Sequence, residues 1–103
     1  MNLNEDLHAT SYPVSHLVQT MGVKNWADTP AKKKFTNDCI ARHFSNDWGD
    51  LCPEDKRSNN RSLKDGNQLL STYTYKNKKL WVISDAADYD GKRVVTLLFP
   101  EEY

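Results

Sequence analysis

The stretch Leu69-Leu70-Ser71-Thr72-Tyr73-Thr74-Tyr75-Lys76-Asn77-Lys78-Lys79-Leu80-Trp81-Val82-Ile83-Ser84 decides the fold class. From Gln68 onward the period changes to two, and the Thr/Tyr alternation over 72–75 marks a strand of β-branched and aromatic side chains. Lys76-Asn77-Lys78 reads as a tight turn, with Asn suited to a positive φ. Residues 79–84 read as a second strand. Asp88-Tyr89-Asp90-Gly91 is a further turn with an Asp-Gly pair at its end. Residues 93–99 form a third strand, apolar on both faces through Val94, Val95, Leu97, Leu98 and Phe99, as expected of a strand that is central or covered on both sides. Pro100 stops it. Connections this short imply an antiparallel meander.

Upstream the spacing is helical. Thr29 is a capping residue and Pro30 a first helical residue, after which Phe35, Cys39, Ile40 and His43 share one face. Lys32, Lys33 and Lys34 sit in the first turn, where the helix dipole disfavours positive charge; they read as solvated surface, with a partner contact as the alternative. Pro53 opens another helix with Glu54 and Asp55 in its first turn, and Gly66 ends it. Its only sizeable apolar residue is Leu63, so it leaves most of its surface to water or a partner. Val14, Leu17, Val18 and Met21 recur at i, i+3, i+4 and i+7 between Pro13 and Gly22, which predicts a short first helix. Residues 1–10 are polar and without period, a flexible tail. The expected fold is therefore α+β: two to three N-terminal helices packed on a C-terminal three-stranded antiparallel meander, in a single domain over 11–103.

Composition narrows function by exclusion. The 103 residues carry 14 Lys plus Arg and 14 Asp plus Glu, a net charge of zero. That balance argues against a protein that wraps DNA and against an acidic mimic of DNA. An aromatic content of 11 %, with three Trp, separates the chain from disordered sequences. No apolar run approaches a membrane span, the first ten residues lack the build of a signal peptide, and two cysteines are too few for a disulfide framework. A cytoplasmic domain with no membrane partner is expected. The zero is a sum of local imbalances, with Lys32–Lys34, the stripe Arg57-Arg61-Lys64 and Lys76–Lys79 set against Asp47, Asp50, Glu101 and Glu102.

The densest group of chemistry-bearing residues is His43, Asp47, Trp48 and Asp50, with Asn60 on the next helix. A helix-ending His before two carboxylates suits an acid–base pair or a metal site. The structural alternative has Trp48 plugging the gap between helices and sheet, Asp50 accepting N–H groups at the start of the next helix, Asp47 capping or pairing locally, and His43 satisfied in the core. Cys39, His43 and Cys52 lack a fourth zinc ligand and any Cys-x-x-Cys pair, so no metal is expected. Cys39 reads as a buried free thiol and Cys52 as a cap residue before Pro53. No Gly-x-Ser-x-Gly elbow and no Gly-rich phosphate loop occurs, so no cofactor is expected. Asp88-x-Asp90-Gly91 lacks the closing Glu of a calcium loop, because Leu97 stands there. Arg57, Arg61 and Lys64 form a basic stripe on one helix face, diluted by Glu54, Asp55 and Asp65. Tyr73 and Tyr75 are the only candidate stacking platforms on the first strand.

Ala41-Arg42-His43, Asp47-Trp48-Gly49-Asp50-Leu51-Cys52, Glu54-Asp55-Lys56, Asn60 and Gly66 form a joint pattern. It continues in Leu69-Leu70-Ser71-x-Tyr73, Leu80-Trp81-Val82-Ile83 and the closing Val95-Thr96-Leu97-Leu98-Phe99-Pro100-Glu101-Glu102-Tyr103. Over about residues 35–103 the chain resembles a family of small, functionally uncharacterised bacterial proteins often carried on plasmids and other mobile elements. The family has Gly where Asn46 stands, and a shorter link with an Asp-Arg pair where this chain runs from Asp85 to Arg93. The resemblance implies a context, not a chemistry. The expected function is a non-enzymatic accessory protein of a mobile element or phage that binds and modulates a host or defence protein. Asp47, Trp48 and Asp50 would be its rigid corner, and Arg57 and Arg61 its polar contact face, Arg and Trp being the residues that dominate interface energetics. Two alternatives stand beside it: a small hydrolase or nuclease using His43 with Asp47 or Asp50, and a weak nucleic-acid-binding regulator.

Overall fold

A computed structural model describes residue 10 and residues 12–103. The expected tail lies outside the described residues, apart from Thr10. The element order is β1 (Val14–Gln19), α1 (Met21–Trp26), α2 (Pro30–Phe44), α3 (Pro53–Asp65), β2 (Leu69–Tyr75), β3 (Lys78–Ser84), β4 (Arg93–Leu98) and a closing 3-10 turn (Pro100–Glu102). The α+β class holds, but the three-stranded antiparallel meander does not. The sheet has four strands in the order β1-β4-β3-β2. β2, β3 and β4 are antiparallel neighbours, whereas β1 runs parallel to β4, with Leu17 opposite Val95 and Val18 opposite Thr96.

The expected first helix is thus a strand. The apolar spacing over 14–21 spans only two helical turns, a window in which periodicity alone does not separate helix from strand. The deciding partner is distant: β4 is apolar on both faces and central, and β1 completes it. Thr20 then ends the strand and begins α1, its hydroxyl accepting the Val23 N–H. That hydroxyl donates to Glu102 Oε1 at 2.7 Å, and the same oxygen accepts the Phe99 N–H. The closing Pro-Glu-Glu-Tyr run therefore ties the end of the sheet to the start of α1.

The other elements form where the sequence places them. Thr29 caps α2 by accepting the Lys32 N–H, with Pro30 at the first turn. α2 lays Cys39, Ile40 and Phe44 onto Tyr73, Leu80, Val82, Val95 and Leu97 to make the core. Each fully buried Leu or Val there contributes roughly 1.5–3 kcal/mol. Gly66 closes α3 in the left-handed region. In the two-residue hairpin between β2 and β3 the positive φ falls on Lys76 (+52°), not on Asn77 as expected.

The two sheet edges are treated differently. On the outer edge of β2, the side-chain amide of Asn59 donates to the Leu70 carbonyl and accepts the Leu70 N–H. Two residues on, the Asp50 N–H donates to the Thr72 carbonyl and the Thr72 N–H to the Trp48 carbonyl. That edge is thus closed to further strand pairing. β1 is the opposite edge, and among the described residues no strand pairs with its outer side.

Candidate functional site

The corner between α2 and α3 is built by residues 46–50. Asn46 turns the chain at φ +64° and Gly49 at φ +73°. Asn tolerates the left-handed region better than most residues with a Cβ. Asp47 faces back onto α2: Arg42 grips its carboxylate through Nε at 2.7 Å and a terminal nitrogen at 3.2 Å. The Arg42 guanidinium also lies 4.7 Å from the centre of the Tyr73 ring. Those bonds, with the Gly49 N–H, hold the Asp47 carboxyl below its ordinary value. Trp48 is 3 % exposed and its indole N–H donates to Asn60 on α3 at 2.9 Å. It is the plug that the structural alternative described. Asp50 departs from that alternative: its carboxylate accepts from Thr74 Oγ1 at 2.9 Å, and the α3 cap position belongs to Cys52, which makes no side-chain cap bond.

His43 is the centre of a buried chain of hydroxyls. Its Nδ1 lies 2.5 Å from Ser71 Oγ and its Nε2 lies 2.7 Å from Ser84 Oγ. Ser84 continues to the Tyr12 hydroxyl at 2.7 Å, while the Tyr73 phenol donates separately to the Asp47 carbonyl at 2.7 Å. A neutral imidazole has one N–H and one bare ring nitrogen, so one of the two serines accepts from the ring and the other donates to it. Every group is satisfied with His43 neutral. Burial, aided by the Arg93 charge, pushes the imidazole down to about 3.

Arg93 is 2 % exposed and has no carboxylate partner among the described residues. It donates to the carbonyls of Asn67, Asp85 and Ser62. Two of these lie at the negative C-terminal end of α3, which favours a cation. Its guanidinium rests 5.0 Å from the centre of the Tyr12 ring. Arg93 thus meets the Asp85 backbone and not its side chain.

The structure brings Trp48 and His43 together, with ring centroids 5.5 Å apart, but turns Asp47 and Asp50 to other partners. Among the described residues no group of three or more His, Cys, Asp or Glu side chains is arranged to hold a metal ion. Burial pushes the Cys39 thiol up to about 12. Asp88 spends one carboxylate oxygen on the Asp90 and Lys92 N–H groups, as a turn requires. Arg57 and Arg61 are exposed on the side of α3 opposite Asn59, and among the described residues neither has a hydrogen bond or ion pair. Sequence reasoning missed Tyr12, Ser71, Ser84 and Arg93. The available signal was two serines at core-facing positions of strands otherwise apolar there, Leu69-x-Ser71-x-Tyr73 and Leu80-x-Val82-x-Ser84. No family model matches the chain, and neither a curated protein nor a solved structure matches it. No helix among the described residues is long and apolar enough to cross a membrane.

Proposed function

We propose that the chain is a non-enzymatic binding protein, carried by a mobile element or phage and acting in the cytoplasm, that modulates a host or defence protein by occupying it through α3. The supporting observation is the pair Arg57 and Arg61: two exposed guanidinium groups one helical turn apart, in line with Lys64, with no partner among the described residues. The helix presenting them is held from behind by Trp48–Asn60, Asn59–Leu70 and Arg93–Ser62. A rigid, cationic, fork-shaped surface suits carboxylates on a partner, because Arg binds them bidentately. Trp48 acts through positioning, since it is buried.

Tagged wild type and Arg57→Glu/Arg61→Glu, incubated with host lysate in parallel, test this reading. The expected outcome is a partner held by the wild type and lost by the variant, with the fold intact, since exposed substitutions of this kind shift stability by about 0.5 kcal/mol or less. The same partner held by both would overturn it. The stripe also supports the nucleic-acid reading, and a gel shift at low salt, where phosphate contacts are strongest, separates the two. The hydrolase reading draws no support from the geometry, because both ring nitrogens of His43 are engaged inside the core.

A further inference from the structure

Lys32, from the first lysine run, and Lys76 and Lys78, from the second, line one cleft on elements separate from α3. A cleft of about 530 Å³ is lined by Trp26, Thr29 and Lys32 on one side and Tyr75, Lys76 and Lys78 on the other. That volume lies within the range of small-molecule sites. No carboxylate lines it. Trp26 and Tyr75, both half-buried, meet edge to face with centroids 5.5 Å apart. A lysine rests on each ring, Lys32 Nζ at 5.1 Å from the Trp26 centroid and Lys76 Nζ at 5.6 Å from that of Tyr75. Lys78 lies 4.0 Å from the Phe99 ring behind them. Lys32 and Lys78 each also pair with an exposed carboxylate that does not line the cleft, Asp28 at 3.5 Å and Glu101 at 3.0 Å. Lys76 has no ion pair among the described residues.

Lys76 sits at the first position of the two-residue hairpin, and the turn geometry itself requires its φ of +52°.

We infer that this cleft binds a nucleotide unit, its base stacked on the face of Trp26 and edge-on to Tyr75, whose ring is nearly perpendicular to it, and its phosphate held by Lys32, Lys76 and Lys78. A stacked base gains more than an exposed ammonium does on the same ring, so the base displaces Lys32 from Trp26 and the phosphate receives it. The phosphate is held by flexible ammonium groups, without a Gly-rich loop. A free nucleotide and a nucleotide within single-stranded nucleic acid present the same chemistry.

The test follows backbone amide shifts of the full chain titrated with adenosine monophosphate, a short oligothymidylate and inorganic phosphate. The expected result is that both nucleotide ligands move the amides around Trp26–Lys32 and Tyr75–Lys78, with phosphate alone at least about tenfold weaker, because it cannot stack. A tighter oligothymidylate identifies a strand as the source, and equal affinity per nucleotide identifies free nucleotide. Phosphate binding as well as the nucleotides, shifts confined to other surfaces, or no shift overturns the inference. Trp26→Leu loses binding about tenfold or more. Because Trp26 also borders the core, Lys76→Gly is the second variant. It relieves the positive φ, so the thermal midpoint stays or rises, while affinity falls and the slope of log K against log salt drops by about 0.7, the share of one phosphate on a single strand. An unchanged affinity and slope for that variant also overturns the inference.

Discussion

Nε2 of His43 lies 2.7 Å from the Ser84 hydroxyl, joining α2 to β3 through a neutral imidazole buried in the core. Burial holds the folded imidazole near 3, whereas an unfolded one titrates near 6.5. The unfolded state therefore takes up the proton first. The stability that rests on neutral His43 is fully present above about pH 6.5 and is lost as pH falls from there toward 3. Urea midpoints should decline by roughly 1.5 kcal/mol in unfolding free energy between pH 6.5 and 5, above the range where carboxylates titrate. His43→Gln should start less stable at pH 7 and stay nearly flat over the same interval. Equal slopes for both proteins would remove His43 from the acid response.

Gly49 and Gly91 share a backbone conformation and differ in surroundings, with φ +73° and +78°. A Cβ on Gly91 meets nothing within 4 Å, whereas one on Gly49 collides with the Thr72 carbonyl and the Tyr73 ring. Gly91→Ala should cost only the left-handed penalty, about 1–2 kcal/mol. Gly49→Ala should cost at least about 3 kcal/mol, because backbone must also move. Chemical denaturation of both variants measures the difference, and similar costs would mean that the Thr72 carbonyl and the Tyr73 ring give way to a Cβ at little cost.

Most of the fold is legible in the sequence, because local signals carry it. Thr29-Pro30 and Cys52-Pro53 open α2 and α3, Gly66 closes α3, and the period-two run fixes β2 and β3. β1 was not legible locally, since its identity is settled by β4, far along the chain. The doubly apolar β4 gave the clue: a central strand needs a neighbour on each side, and a three-stranded meander ending at residue 99 supplies only one. The corner was legible for Trp48 and for the local pairing of Asp47. Asp50 was not, because Thr74, its partner, reaches it only once β2 lies beside the corner. The Trp26–Tyr75 cleft joins α1 to a hairpin, and no spacing rule links them.

Arg42 and Asp47 make a two-pronged pair, but both side chains are about half exposed. Solvent screening therefore limits their coupling to about 0.5–1 kcal/mol in a double-mutant cycle of Arg42→Ala and Asp47→Ala. Raising the salt to about 1 M, where the screening length is near 3 Å, should shrink that coupling further. A small coupling alongside a costly Arg42→Ala would show that the stacking of Arg42 on Tyr73, which the cycle cancels, and not the ion pair, holds the corner.

Asn59 substitutes for a strand. Its amide satisfies both backbone groups of Leu70, so Asn59→Ala leaves a donor and an acceptor unpaired at the β2 edge. The expected loss is about 2–3 kcal/mol. Asn59→Asp retains an acceptor for the Leu70 N–H but faces the Leu70 carbonyl with a second oxygen, so it should be destabilised as well. The two variants then separate geometry from shape, since Asp fills the same volume as Asn. A second uncovered edge, besides that of β1, invites pairing with another chain, so Asn59→Ala should self-associate at lower concentration than the wild type in light scattering. A monodisperse Asn59→Ala protein of wild-type stability would mean that the Trp48–Asp50 backbone alone protects β2, which would place the edge's defence at the corner and not on α3.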